Sequence, residues 1–295
     1  MKRNFGSKGM AALCLAVALM ALAASGMGLF LRGDGSKASG TSVRGEQIEY
    51  AAKGIYKWNA QRIVAEGIGW DIVTFFLAAP AALVASVMVA LGSYKGRLFA
   101  VGLLAYFAYQ FLEYATYWAF NPLFLLYVAT FSASLAGIAW MVPSLGAADF
   151  GARARPTFPR RGMAAFCLIL GAFLALNWLK MIVPALGKEV QGLLLGQTTF
   201  VVQAYDLGII VPLLALTGIA TLRRKALGYF LSATLIVNAV AMSSAITAMI
   251  LSAWFVEGKL ELGVFLVFAV ATIASILLLV RIYASIDSKG KELTG

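Results

Sequence analysis

Apolar residues in this chain come in long unbroken runs separated by short polar connections, with neither strand alternation nor narrow helical stripes. A helix needs about 20 residues to cross about 30 Å of hydrocarbon. Eight runs meet that length: 10–31, 69–92, 98–120, 122–144, 162–186, 204–222, 226–253 and 260–283. The pattern predicts an all-α, polytopic transmembrane bundle of eight spans, a single integral membrane domain over 1–295.

One connection, 32–68, is long. Within it Ile48, Ala52, Ile55, Asn59 and Ile63 fall near one helical stripe, with Glu49 and Lys53 spaced as an i,i+4 pair. Residues 46–66 therefore read as an outer helix, either lying on the membrane interface or packed on the bundle as a solvated loop helix. Gly33–Ser42 reads as a flexible linker. Its Gly35-Ser36-Lys37 lacks the rest of a phosphate-loop pattern. In the second half, 187–203 reads as a short interfacial or re-entrant piece.

Composition fits this picture. Of the 295 residues, 61% are hydrophobic and 13% charged, against about 45–50% and about 25% in a soluble domain. The formal charge of +11 changes meaning once the runs are placed. With the N-terminus inside, 15 of the 24 lysines and arginines fall in inner segments, a topology signal that leaves no case for nucleic acid. Five of the six tryptophans map toward the outer ends of the spans, as an aromatic belt would, and Trp140 is the exception. Both termini are thus expected in the cytoplasm. A rival reading treats Lys2, Arg3 and the core Ala11–Leu22 as a cleaved signal peptide. The run continues to Phe30, long enough for a retained span.

The sequence repeats. Lys8–Leu15 and Arg161–Leu168 share six of eight residues and open the first and fifth spans. Trp70-Asp71 precedes Pro80 and Gly96, and Tyr205-Asp206 precedes Pro212 and Gly228. Two four-span halves, 1–150 and 151–295, would be parallel repeats about an axis along the membrane normal.

The chain has no histidine, which removes the commonest proton shuttle and metal ligand. Cys14 and Cys167 lie in apolar runs without metal-ligand spacing, so no disulfide, metal or cofactor is expected. Candidate chemistry is confined to polar groups inside apolar spans, where charge is costly and defaults to a functional hypothesis. Glu113 and Lys180 sit at similar depth, placed either to pair or, for Lys180, to snorkel. Asp71 and Asp206 occupy matching places in the two halves, as helix caps or as binding groups. Tyr106, Tyr109, Gln110, Glu113 and Tyr117 share one face of the third span, and Asn238 leads a milder polar set in the seventh. Such a face lines a pocket or acts as interhelical glue.

Trp70-Asp71-Ile72-Val73-Thr74, the Tyr109–Tyr114 segment, Phe120-Asn121-Pro122-Leu123-Phe124 and Asp206-Leu207-Gly208 with Pro212 resemble an uncharacterised family of bacterial, roughly eight-span inner-membrane proteins. The resemblance implies a bacterial inner-membrane location and no particular activity. Asp71 and Asp206 belong to the resembling pattern, whereas the Glu113–Lys180 pair does not.

These readings favour a small-solute transporter or permease with an outward-facing polar site between the halves. The site would draw on Asp71, Tyr109, Gln110, Glu113, Tyr117, Lys180, Asp206 and Asn238, with the bilayer and a small-molecule or lipid ligand as partners. The alternative is a structural, sensory or assembly protein whose polar groups hold the bundle together. A lipid- or quinone-acting enzyme ranks behind both, since no nucleophile or metal constellation is present.

Overall fold

The computed structural model describes residues 2–146, 150–187, 190 and 192–287. Asp149, Lys188, Lys289, Lys291 and Glu292, which entered the charge pattern, lie outside the described residues. Eight helices are long and apolar enough to cross a membrane: α1 (Gly6–Phe30), α2 (Gln61–Ala90), α3 (Tyr94–Thr116), α4 (Phe124–Ser144), α5 (Arg160–Ala185), α6 (Val201–Leu222), α7 (Ala226–Glu257) and α8 (Leu262–Ala284). A further helical turn, Phe150–Arg153, joins α4 to α5.

Three helix ends have a local reason. Ser93 caps α3, its Oγ accepting from the Gly96 amide at 3.0 Å. Asn121 Oδ1 accepts from Leu123 N at 2.9 Å, turning the chain between α3 and α4 at Asn121-Pro122. Gly258 ends α7 in the left-handed conformation (φ 69°) that favours glycine. At the end of the bundle holding the described termini, cations meet helix C-termini. Arg97 donates to Ser144 O (3.2 Å), Arg160 to Leu222 O (3.0 Å) and Lys95 to Tyr283 O (2.6 Å). Part of the basic surplus thus neutralises exposed carbonyls and the negative ends of helix dipoles.

The helices pack as two rings of four. α1, α2, α3 and α4 each touch their ring neighbours, as do α5, α6, α7 and α8. The rings join unequally. α7 packs closely on α2 and also touches α3, whereas α3 meets α6 mainly at the turn Val201–Tyr205. Close approach along α7 depends on glycine. A Cβ on Gly69 would meet the Ala248 and Met249 backbone, and one on Gly102 would meet Thr234 O and Val237. Outside, Phe76, Leu125, Ile169, Leu176 and Val270 are exposed, an apolar surface suited to lipid.

The long connection departs from the helical reading. Residues 46–66 form no single helix. Lys37–Thr41 (β1) pairs antiparallel with Gln47–Ala51 (β2), with Thr41 opposite Gln47, and α2 starts at Gln61. Ser42 N donates to Glu46 O at 2.8 Å, which narrows the turn to three residues, 43–45, and Gly45 (φ 82°) supplies its left-handed residue. Glu49 pairs across the hairpin with Lys37 at 2.7 Å, not with Lys53, which reaches Asp34 at 2.9 Å. Hydrogen bonds from Ser36 and Lys53 hold the Asp34 carboxyl well below the usual carboxylate range. Gly33–Ser42, read as a linker, thus contains β1. Of the 187–203 connection, the described residues up to Phe200 are turns and bends and Val201 already opens α6, and Gly192 N donates to Glu46 Oε1 at 2.6 Å, tying the connection to the hairpin.

Candidate functional site

Two polar centres lie in the hairpin-side half of the bundle. Both are organised by widened helical turns. Thr74–Ala78 in α2 and Asp206–Ile210 in α6 are π-helical, each closed by an i→i−5 bond, Ala79 N to Thr74 O and Val211 N to Asp206 O. Pro80 and Pro212 follow at the same distance. Proline cannot donate and its ring crowds the carbonyl four residues back, so a wider turn just before it relieves the helix. The register pairs Thr74 with Asp206, 132 residues apart, and leaves Asp71 one turn earlier.

The first centre surrounds Asp71, which is fully buried. Tyr56 Oη, from the loop before α2, donates to Asp71 Oδ2, and Tyr114 Oη, from α3, donates to Oδ1 at 3.0 Å. Trp70, Trp118 and Tyr127 pack around these phenols, with Trp118 4.4 Å from Tyr56 between ring centroids. Asn59 clamps the same loop, donating to Tyr56 O (3.1 Å) and accepting from Ala119 N (2.8 Å). Burial, then the Asp71 charge, pushes the Tyr56 phenol well above its ordinary value, so it stays a donor. One turn along α2, Thr74 Oγ1 donates to Gln110 Oε1 at 2.8 Å and lies 2.8 Å from Tyr106 Oη, which must donate to it.

The second centre lies where the rings meet loosely. Tyr109 Oη of α3 donates to Asp206 Oδ1 at 2.6 Å, and Trp178 Nε1 of α5 donates to Oδ2 at 2.8 Å. Tyr205 Oη lies 2.9 Å from Thr116 Oγ1, a second link from α6 to α3. Glu113 is one turn from Tyr109 on α3 and close enough to interact electrostatically with Asp206 and Glu66. It is 4% exposed and forms no hydrogen bond or ion pair among the described residues.

The shared face on α3 is therefore real but divided. Tyr106 and Gln110 bond to α2, Tyr109 bonds to α6, and Tyr117 reaches the hairpin-side end beside Glu66 and Glu113. Lys180 is exposed and makes no ion pair among the described residues, so the Glu113–Lys180 pair is not formed. Its position on α5 turns the long side chain outward, as snorkelling requires. Neither aspartate caps a helix. Asp71 lies well inside α2, and Asp206 begins the π turn inside α6. Asn238 is half-buried in α7 without a side-chain hydrogen bond among the described residues. The tryptophan belt is also partial: Trp70 and Trp118 are core residues, and Trp178 serves Asp206.

Sequence reasoning missed Tyr56 and Thr74 as site residues, along with Gly28 and Gly67. A Cβ on Gly28 would overlap Asp71 Oδ2 and Tyr56 Oη, and one on Gly67 would overlap the Trp118 ring. The Tyr-rich loop ahead of an aspartate inside an apolar run was the available signal.

The fold and its polar interior define a bundle of eight potential membrane spans with two carboxylate–tyrosine centres on one side. The chain matches no family model, no curated protein and no solved structure.

Proposed function

We propose that the protein is an integral membrane protein of a bacterial inner membrane, with both termini cytoplasmic and the hairpin side facing out. In this reading it is a small-solute transporter or permease whose site lies in the seam between α3 and α6. The observation that carries the reading is Glu113, buried in the seam with no hydrogen bond or ion pair among the described residues and beside the half-buried Asp206. An uncompensated carboxylate in an apolar interior costs several kcal/mol, and such groups mark ion and substrate pathways in membranes.

Two further features support the reading. The matched π turns and the two similar rings fit a 4+4 repeat, and transporters commonly place their sites at repeat interfaces. The looser packing of α3 on α6 than of α7 on α2 leaves one seam free to open. Asp71 takes no part in binding here, because two phenols already occupy its carboxylate in a sealed core. That same sealing favours the alternative, a structural or sensory protein, and the experiment separates the two.

Glu113→Cys and Asp206→Cys are each treated with a membrane-impermeant maleimide in right-side-out and in inverted vesicles. Native Cys14 and Cys167 are buried and give a low background. Alternating access predicts labelling of position 113 from both faces. Labelling from one face only, or from neither, overturns transport in favour of the structural reading.

A further inference from the structure

At the hairpin-side end of α3 an open cleft of about 300 Å³ separates the hairpin from the connection before α6. Its aromatic walls are Tyr50, Trp58, Tyr117 and Trp118, and Leu195 and Gln197 close the far side. Nothing charged lines it among the described residues. We propose that this cleft binds a methylated ammonium cation of the choline or tetramethylammonium class. The site goes beyond the transport reading and does not depend on it.

Shape, electrostatics and backbone point the same way. The volume is at the low end for ligand sites, right for a group of a few heavy atoms. Aromatic faces attract cations through the ring quadrupole, and weakly hydrated methylated ammonium groups are the ones such cages take best. Trp58 already holds a cation: Lys57 Nζ sits 4.5 Å from its ring centroid. The charge behind the cage is net negative: Arg62 and Glu66 both act on the Tyr117 phenol, and the one guanidinium is shared by three carboxylates, Glu66, Glu257 and Glu261. Lys57, on the Trp58 ring, is the cation that a ligand would displace from the cage.

The backbone carries a cost at this place. Trp58 (φ 71°) and Leu195 (φ 52°) are two of the three non-glycine residues with positive φ among those described, and both line this cleft from opposite connections. Each such conformation costs on the order of 1–3 kcal/mol and persists where the surroundings enforce it. Here the enforced conformations shape facing walls of one opening.

The test is equilibrium binding to the purified full-length protein in detergent, read by calorimetry. Choline is the probe and 3,3-dimethyl-1-butanol its neutral isostere. The expected result is saturable choline binding, with the isostere at least about tenfold weaker. Trp58→Ala should weaken choline by about tenfold, and Lys57→Ala should strengthen it by removing a competing charge. Trp58 is 55% exposed, and an unchanged circular dichroism spectrum shows that its replacement leaves the fold intact. Equal binding of choline and isostere, no saturable binding, or choline affinity unchanged in Trp58→Ala overturns the proposal. Repeating the titration in phosphatidylcholine and in phosphatidylglycerol nanodiscs distinguishes the source of the cation. Suppression only in phosphatidylcholine identifies the lipid headgroup, and equal binding in both identifies a free solute.

Discussion

Tyr56, in the connection between the hairpin and α2, donates its phenolic hydrogen to Asp71, fifteen residues along the chain and inside the bundle. The bond straps an external loop onto a buried carboxylate, and Tyr114 from α3 completes the pair of donors. Removing the Tyr56 hydroxyl leaves Asp71 Oδ2 short of a partner where water cannot substitute. Tyr56→Phe should therefore cost about 2 kcal/mol, a charge-assisted bond lost in a buried site. Asp71→Ala should cost more, because it orphans two phenols. The double variant should lose no more than Asp71→Ala alone, since both act on one bond. Unfolding in detergent followed by tryptophan fluorescence measures this, with Trp118 against Tyr56 as reporter. Additive losses would show that the residues act independently.

The raised Tyr56 pKa has a pH signature of definite sign. Its folded value lies above the ordinary tyrosine value of about 10, so folding favours the protonated phenol. The contribution is fully present below about pH 10 and is lost as pH rises toward the folded value. Stability of the native protein should therefore fall in strong alkali, and the Tyr56→Phe curve should fall less steeply over the same range. Parallel curves would remove Tyr56 from that transition.

Gly28 and Gly67 are where this strap tolerates no side chain. Alanine at Gly28 collides with Asp71 and Tyr56, and alanine at Gly67 collides with the Trp118 ring. Each substitution should cost about 1–3 kcal/mol, the range for forced overpacking. Gly263, at the start of α8, has open space where a Cβ would go. Gly263→Ala should be neutral or slightly stabilising, because alanine is the better helix former. Thermal unfolding of the three variants side by side gives the comparison.

How far the sequence shows this architecture depends on the solvent each residue meets. Lipid and protein core accept the same apolar side chains, so span length was legible and all eight helices were found. For the same reason a span apolar on every side carries little information about rotation. Glu113 and Lys180 both lie near the hairpin-side ends of their helices, yet Glu113 is buried and Lys180 exposed, because their helices turn differently. The hairpin was hidden for another reason. Ile48, Ala52, Ile55 and Ile63 fit a helical spacing, whereas the strand signal spans five residues and depends on Gly45 and a partner strand earlier in the chain. Asp206 was legible as a polar group in an apolar run, but its pairing with Tyr109 and Trp178 depended on ring packing.

Arg62 joins both halves at the hairpin side. Its guanidinium meets Glu66 at 2.9 Å, Glu257 at 3.3 Å and Glu261 at 2.8 Å. α2 and α7 are the longest helices, about 45 and 48 Å at about 1.5 Å per residue. These lengths exceed the hydrocarbon thickness, so their overhanging ends can meet in the interfacial zone. Arg62→Ala would leave three carboxylates facing one another and should cost about 1–3 kcal/mol, above an isolated surface pair because one fork serves three acceptors. Arg62→Lys should recover only part of this, since a point charge cannot span the same fork. The loss should shrink in high salt, because the site is partly exposed. Unfolding temperatures at low and high ionic strength check both statements.

Glu113 separates a functional seam from a structural one by the sign of a stability change. A carboxylate that holds helices together stabilises the fold, so neutralising it weakens the protein. A carboxylate kept for binding is buried at a cost, so neutralising it relieves the protein. Glu113 has no hydrogen bond or ion pair among the described residues to lose, and it interacts electrostatically with the carboxylates of Asp206 and Glu66. Glu113→Gln keeps the volume and removes the ionisable group, whose burial costs free energy whether it is held as the ion or takes up a proton. It should raise stability by about 1 kcal/mol or more, while Asp206→Ala, which orphans Tyr109 and Trp178, should lower it by about 1–3 kcal/mol. Thermal unfolding in detergent at neutral pH reads both. A Glu113→Gln variant that unfolds earlier than the native protein would place Glu113 among the bonds that hold the rings together and count against a binding role at the seam.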